Sequence, residues 1–112
     1  MSHRFVSRSY SRDGFRAVVR GEAAFRQLLA VHGVLIPLAL VFDVSPVERA
    51  LMWAACLVSL LVELLNSAIE AVVDRISLDF HPLSKNAKDM GSAAQATALL
   101  MVGAVWGSII LG

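Results

Sequence analysis

Three long apolar segments follow one another along the chain. They cover residues 23–42, 47–76 and 85–111, and short polar stretches separate them. Each segment supplies about 20 residues, roughly the length of helix that crosses ~30 Å of hydrocarbon at 1.5 Å per residue. The pattern therefore predicts one all-α membrane domain over residues 1–112, with three membrane-spanning helices.

The two breaks between these segments carry turn and capping signals. Ser45 precedes Pro46 in the first break, and a serine cap followed by proline predicts the start of the second helix. In the second break, Pro82 argues against a helix that runs through it. Ser84 is then the predicted cap of the third helix.

The first 21 residues follow a different pattern. Arginines recur every four residues with apolar side chains between them, at positions 4, 8, 12, 16 and 20. This spacing predicts an amphipathic helix that lies on anionic lipid; the alternative is a disordered basic tail. Because basic segments stay on the cytoplasmic side, the N-terminus and the 75–89 connection are expected there, and the 43–49 turn and the C-terminus outside.

Composition supports the membrane class and excludes some chemistry. The chain is 57% hydrophobic and its mean hydropathy is +0.68, which is high for a soluble domain of this size. Cys56 is the single cysteine, so no internal disulfide forms. Neither glycine-rich phosphate loop, GxxxxGK[ST] or GxGxxG, occurs, so any nucleotide is held in another way.

The second apolar segment contains a row of polar residues. Glu63, Asn66, Glu70 and Asp74 are separated by three, four and four positions, which puts them on one face of a helix. Intramembrane carboxylates are costly and face protein, ligand or water rather than acyl chains. An alternative is that these residues form interhelical hydrogen bonds.

Other charged residues are expected at the same depth, the inner membrane–water interface. Glu22 precedes the first span, and Lys88 and Asp89 lie at the start of the third. Carboxylate and amide oxygens suit Mg²⁺, a lysine suits phosphate, and a partly buried carboxylate suits general-base work. Together these groups predict phosphoryl transfer to a lipid hydroxyl.

The segment ELLNSAIEAVVDR, from Glu63 to Arg75, resembles the signature of the prokaryotic integral-membrane diacylglycerol kinases. The similarity continues through His81, Leu83-Ser84 and AKDMGSAA at 87–94, and upstream through EAAFRQ at 22–27. The resemblance implies a homotrimer with shared sites in the bacterial cytoplasmic (inner) membrane. It also implies phosphorylation of diacylglycerol by MgATP to give phosphatidic acid.

The resemblance implies a role for each matching residue. Glu63 matches the general base, which also contacts the lipid, and Glu22 and Glu70 match the Mg²⁺ ligands. The remaining positions that match nucleotide-binding residues are Tyr10, Asn66, Asp79, Phe80, His81, Lys88 and Asp89, beside Glu22 and Glu70. Those that match lipid-binding residues are Arg16, Arg26, Gln27 and Ser92.

The chain departs from the family pattern at Leu28, where the family carries a glutamate. Two alternative functions stay open. One is an undecaprenol kinase of the same fold, with another lipid but the same phosphoryl chemistry. The other is a non-enzymatic ion conduit built on Glu63 and Glu70.

Overall fold

The computed structural model describes residues 12–14 and 23–112, which form helices joined by short turns. Residues 12–14 are helical; the rest of the predicted interfacial helix lies outside the described residues. Three long helices follow: α1 (Ala23–Leu38), α2 (Pro46–Ile76) and α3 (Pro82–Leu111). The described part of the chain contains no strand, which confirms the all-α prediction.

The helix boundaries match the prediction at α2 and differ at α1 and α3. Ser45 caps α2 in a complete capping box with Glu48, and Pro46 occupies the first turn, as predicted. α1 ends at Leu38 rather than at residue 42. There the chain tightens into three-residue turns, with the amide of Leu40 donating to the carbonyl of Pro37 at 3.0 Å.

α3 begins at Pro82, three residues before the predicted start. The cap is His81, whose Nδ1 accepts a hydrogen bond from the amide of Leu83 at 3.1 Å, so the prediction of Ser84 as the cap was wrong. Proline lacks an amide hydrogen and is suited to the first helical position. Pro82 therefore starts this helix, and the residue before it takes the capping role.

Helices α2 and α3 form an antiparallel hairpin because a turn of only five residues, 77–81, joins them. Its open end, opposite this turn, contains the main apolar cluster, which includes Met52, Cys56, Val102 and Trp106. The indole N–H of Trp106 donates to the carbonyl of Met52 at 3.1 Å. The ring of Phe42 packs edge-on against Trp106 at 6.3 Å.

Two side chains of α2 complete the C-terminal end of α1. A helix end leaves carbonyl groups without intrahelical donors. Trp53 Nε1 donates to the carbonyl of Ile36 at 2.8 Å. Arg49 donates to the carbonyls of Ala39 and Phe42 at 3.1 and 3.0 Å. These bonds fix α1 against α2 at the open end of the hairpin.

Helices α2 and α3 have the length and apolar composition needed to cross a membrane. α1, with 16 residues, is shorter than the roughly 20 that a span needs. Large apolar side chains are exposed along all three helices, for example Val34, Leu61 and Leu100. Such faces are typical of contact with lipid or with other membrane helices.

Candidate active site

The predicted polar face of α2 is turned toward α3 at its centre. Glu63 and Asn66 are each 8% exposed, and Ser59 and Ser67 beside them are also buried. The opposite side of the same helix exposes large apolar side chains, Leu65, Ile69 and Val72. The polar residues therefore face protein, which confirms the placement expected from their spacing.

This face becomes more open toward the turn end of the hairpin. Glu70 is half-buried and Asp74 is exposed. Asp74 forms an ion pair with Lys88 of α3 at 2.7 Å, and both side chains are a little over two-fifths exposed, 45% and 43%. Lys88 is also close enough to Glu70 for a favourable charge interaction. The polar face thus begins with buried amide and carboxylate groups at the centre of α2 and ends beside the accessible Lys88 of α3.

Glycine at position 91 allows α3 to approach α2 closely. A Cβ atom built at Gly91 would clash with Oδ1 of Asn66 and would lie 3.1 Å from its Cγ. No side chain larger than hydrogen fits there without moving Asn66. The Asn66 amide is therefore pressed directly against the backbone of α3.

A cleft of about 320 Å³ opens where α2 and α3 meet the 77–81 turn. We call it the turn cleft. It contains five of the residues predicted to bind nucleotide: Asp79, Phe80, His81, Lys88 and Asp89. They come from the turn and from the first two turns of α3. The turn cleft therefore unites residues up to ten positions apart in the chain.

Opposite charges in the turn cleft are already paired with one another. Its described lining has three aspartates and two lysines, Asp74, Asp79, Asp89, Lys85 and Lys88. Lys85 binds Asp89 at 2.6 Å on the same helix, and Lys88 binds Asp74 across the hairpin. A polyphosphate must therefore replace a carboxylate at a lysine, or arrive with a cation of its own.

Other predicted site residues lie apart from the turn cleft. Glu63 and Asn66 are deeper in the hairpin and do not line it. Arg26, Gln27 and Ser92 are exposed on α1 and α3. Tyr10, Arg16 and Glu22 lie outside the described residues, so their assigned roles stay predictions.

Within residues 12–14 and 23–112, no three His, Cys, Asp or Glu side chains converge on one point. The donors on the polar face of α2 are nevertheless of the kind that Mg²⁺ prefers, since carboxylate and amide oxygens are hard ligands. Glu70 is the most accessible of the buried or half-buried members. The second predicted metal ligand, Glu22, is among the undescribed residues.

One buried polar residue was missed from the sequence. Gln95 on α3 is 9% exposed, and both atoms of its amide are buried without a hydrogen-bond partner. The available signal was its position, four residues after Gly91 and seven after Lys88, which places all three on one stripe of α3.

The fold and site together define a small helical protein with two helices able to span a membrane and a carboxylate-bearing polar face next to a charged cleft. The profile of the family described as "Prokaryotic diacylglycerol kinase" matches residues 9–110. Among similar proteins, the diacylglycerol kinase of Pseudomonas aeruginosa is 65% identical over 103 residues, covering 92% of this chain and 84% of the relative.

Two further diacylglycerol kinases match most of the chain at lower identity. That of Haemophilus influenzae is 42% identical over 110 residues, covering 98% of this chain and 93% of the relative. That of Escherichia coli K12 is 46% identical over 101 residues, covering 87% of this chain and 80% of the relative. The chain belongs to the prokaryotic diacylglycerol kinase family.

Proposed function

We propose that this protein transfers the terminal phosphoryl group of ATP to the primary hydroxyl of diacylglycerol, forming phosphatidic acid and ADP. Family membership supports the reaction class. The observation that carries the proposal is that the polar face of α2 leads directly into the turn cleft. The polar face of α2 runs from the buried Glu63 to Asp74, and Asp74 lines the turn cleft together with five predicted nucleotide-binding residues.

In this proposal the turn cleft binds the nucleotide. Phe80 is 79% exposed on its lining and offers an aromatic face for stacking against the base. Lys88 exchanges Asp74 for a phosphate oxygen, as a flexible ammonium group can. Since Lys88 is also near Glu70, its ammonium group connects the turn cleft to the polar face.

Glu63 acts as the general base. The lipid hydroxyl oxygen attacks the γ-phosphorus, the bond from phosphorus to the β–γ bridging oxygen breaks, and ADP leaves with that electron pair. The hydroxyl proton passes to the Glu63 carboxylate. Burial beside Asn66 and Ser59 keeps bulk water away from this carboxylate, which favours the lipid over hydrolysis.

Transfer is direct, without a phosphorylated enzyme. The lipid hydroxyl is itself the nucleophile that Glu63 activates, so the proposal needs no intermediate on a protein side chain. Radiolabelled ATP should therefore leave no acid-stable label on the protein. A trapped phosphoprotein would replace this mechanism with a two-step transfer.

Mg²⁺ enters the proposal as the cation that accompanies ATP. Glu70 and Glu22 would hold it. Its chemistry would be to neutralise the phosphate charge that develops during transfer. The described charges of the turn cleft sum to −1 when His81 is neutral, so ATP needs this added cation to bind there.

The membrane arrangement is part of the same proposal. Residues 39–42 continue α1 as apolar turns and would complete a third span. The turn cleft would face the cytoplasm, where ATP is present, and the C-terminus would face the periplasm. The exposed apolar faces would meet lipid and the other subunits of a homotrimer in the bacterial inner membrane.

The decisive experiment compares two lipids in mixed micelles with MgATP, offering diacylglycerol and undecaprenol separately at equal mole fraction. Preferential phosphorylation of diacylglycerol supports the proposal. Preference for undecaprenol keeps the phosphoryl chemistry and replaces the substrate. Phosphorylation of neither lipid, together with a thermal midpoint that MgATP does not change, rejects the kinase and directs attention to ion flux through reconstituted vesicles.

A further inference from the structure

Five side-chain polar atoms among residues 12–14 and 23–112 are buried without a hydrogen-bond partner. One belongs to His32 on α1. The other four lie on α2 and α3: Oγ of Ser59, Oδ1 of Asn66, and Oε1 and Nε2 of Gln95. Buried polar groups normally have partners because an unsatisfied one costs free energy. Their grouping in one stretch of the hairpin therefore points to a use.

The register of the hairpin brings Gln95 next to Asn66. Two contacts define this register: Gly91 lies against Asn66, and Trp106 bonds Met52. Residues between them pair in order, so Gln95 lies level with Glu63, one turn from Asn66. Gln95 and Gly91 are four positions apart and share a face of α3.

The directions in which the two side chains lean bring Gln95 and Asn66 together across the one turn that separates their positions. Helical side chains lean toward the N-terminus of their own helix. Because the helices are antiparallel, Gln95 leans toward the turn and Asn66 leans away from it, so each leans toward the other. A helical side chain also covers the surface over the preceding turn, and for Gln95 that surface contains Gly91, where Oδ1 of Asn66 lies.

The two groups are chemically complementary. Oδ1 of Asn66 is a buried acceptor without a donor, and Nε2 of Gln95 is a buried donor without an acceptor. We propose that Gln95 is a positioning residue whose side-chain N–H donates to Oδ1 of Asn66 and thereby fixes the orientation of the Asn66 amide.

The bond has a consequence for the reaction. A carboxamide can turn over and present either its oxygen or its N–H₂ group to a neighbour. When Gln95 holds the oxygen, the N–H₂ group of Asn66 is left for another partner. It can then donate to the general base or to a phosphoryl oxygen. This inference rests on the proposed function for its catalytic part and on the geometry alone for the bond.

The bond itself is tested by NMR without any substrate. The chain has two glutamines, Gln27 and Gln95, and two asparagines, Asn66 and Asn86. The protein is labelled with ¹⁵N only at glutamine. The side-chain signal that disappears in Gln95→Met is then assigned to Gln95. Asn66→Ala should shift this signal, whereas Asn86→Ala, on an exposed residue, should leave it in place. A signal unmoved by Asn66→Ala overturns the proposal.

The catalytic role is tested by kinetics with the same variants. Gln95→Met keeps the length of the side chain and removes the donor, so kcat should fall about tenfold, the worth of one neutral hydrogen bond. The KM for MgATP should stay within about twofold, because Gln95 lies outside the turn cleft. In an Asn66→Ala background the same change should have no further effect, since its partner is already absent.

Thr97→Val is the matched control, because Thr97 bonds only the carbonyl of Ala93 on its own helix. If Gln95 had a merely structural role, Gln95→Met would lower kcat equally in the wild-type and Asn66→Ala backgrounds. That result overturns the positioning role. An inactive wild type would instead reject the proposed function, while the NMR measurement still decides the bond.

Discussion

At its open end the α2–α3 hairpin bonds its indole and guanidinium donors, whereas nearer the turn the buried amides of Asn66 and Gln95 keep atoms without a partner. At the open end, the indole groups of Trp53 and Trp106 and the guanidinium of Arg49 all donate to main-chain carbonyls. In the half nearer the turn, Asn66 and Gln95 have buried amide atoms without partners. The first half is built for stability, and the second gives up stability in the region where we propose that substrates bind.

The largest expected effect is at Glu63, the proposed general base. Glu63→Gln removes the proton acceptor but keeps the size of the side chain, so kcat should fall about 10³-fold, within the usual range for general-base catalysis. MgATP affinity should stay within a few-fold. The measurement is transfer to diacylglycerol in mixed micelles together with MgATP binding by thermal shift.

Glu48→Gln is the matched control for this change, because it lies on the same helix at the open end, where glutamine preserves the capping box. Its activity should match that of the wild type. Loss of MgATP binding in Glu63→Gln would make Glu63 a metal ligand rather than the base.

A change at the open end should act on stability instead. Trp106→Ala removes the indole that packs on Phe42 and bonds Met52, and it leaves a cavity in the apolar cluster. The unfolding free energy should fall by about 3 kcal/mol, as for other buried tryptophans. Unfolding in a graded detergent mixture measures this loss.

Trp106→Phe separates packing from hydrogen bonding, because it keeps most of the ring and removes only the donor. It should cost about 1 kcal/mol. Turnover per folded molecule should stay close to wild type in both variants. A large loss of kcat in folded Trp106→Phe would contradict the division between the two halves.

The polar residues that α2 contributes to the hairpin were predictable from the sequence, whereas those that α3 contributes were not. The three-four-four spacing places Glu63, Asn66, Glu70 and Asp74 on one face, and Ser45 before Pro46 fixes the start of the helix, since both depend on local geometry. Which residues of α3 meet that face depends on the register between helices, which no local pattern gives. Gln95 and the contact of Gly91 were missed for this reason.

Long-range pairing also explains the other differences. Asp74 was predicted on the polar face of α2, but its partner Lys88, 14 positions away across the turn, was not predicted. α1 ends at Leu38, where Trp53 and Arg49 of α2 bond the nearby carbonyls of Ile36 and Ala39. The turn cleft could be anticipated only through the family resemblance, which identified its residues without placing them together.

The close approach of the helices gives the third prediction. Gly91→Ala should displace Asn66, because a methyl group there would clash with Oδ1. We expect about 2 kcal/mol of destabilisation, typical of overpacking, and a fall in kcat that follows from the misplaced amide. Detergent unfolding and lipid phosphorylation report the two effects.

Gly103→Ala is the matched control on the same helix, since a Cβ atom at that position meets nothing within 4 Å. It should be neutral or stabilising by up to about 1 kcal/mol, because alanine favours helix more than glycine. Equal effects at the two glycines would mean that the contact with Asn66 does not matter.

The smallest expected effect distinguishes two lysines of the turn cleft. Lys88 crosses the hairpin to Asp74 and lies near Glu70, whereas Lys85 pairs with Asp89 on its own helix and is 61% exposed. Lys88→Met should raise the KM for MgATP about tenfold, the worth of one charge-assisted hydrogen bond to phosphate. Lys85→Met should raise it by no more than about threefold, because an exposed pair contributes little.

Asp74→Asn sharpens this comparison. It releases Lys88 from its ion pair, so the KM for MgATP should fall, and the fall should disappear when Lys88 is also replaced. If Asp74→Asn raises the KM equally with and without Lys88, Asp74 acts on the nucleotide by another route. Lys88 would then only link the two helices, and Glu70 would be the last polar-face residue with a role in the reaction.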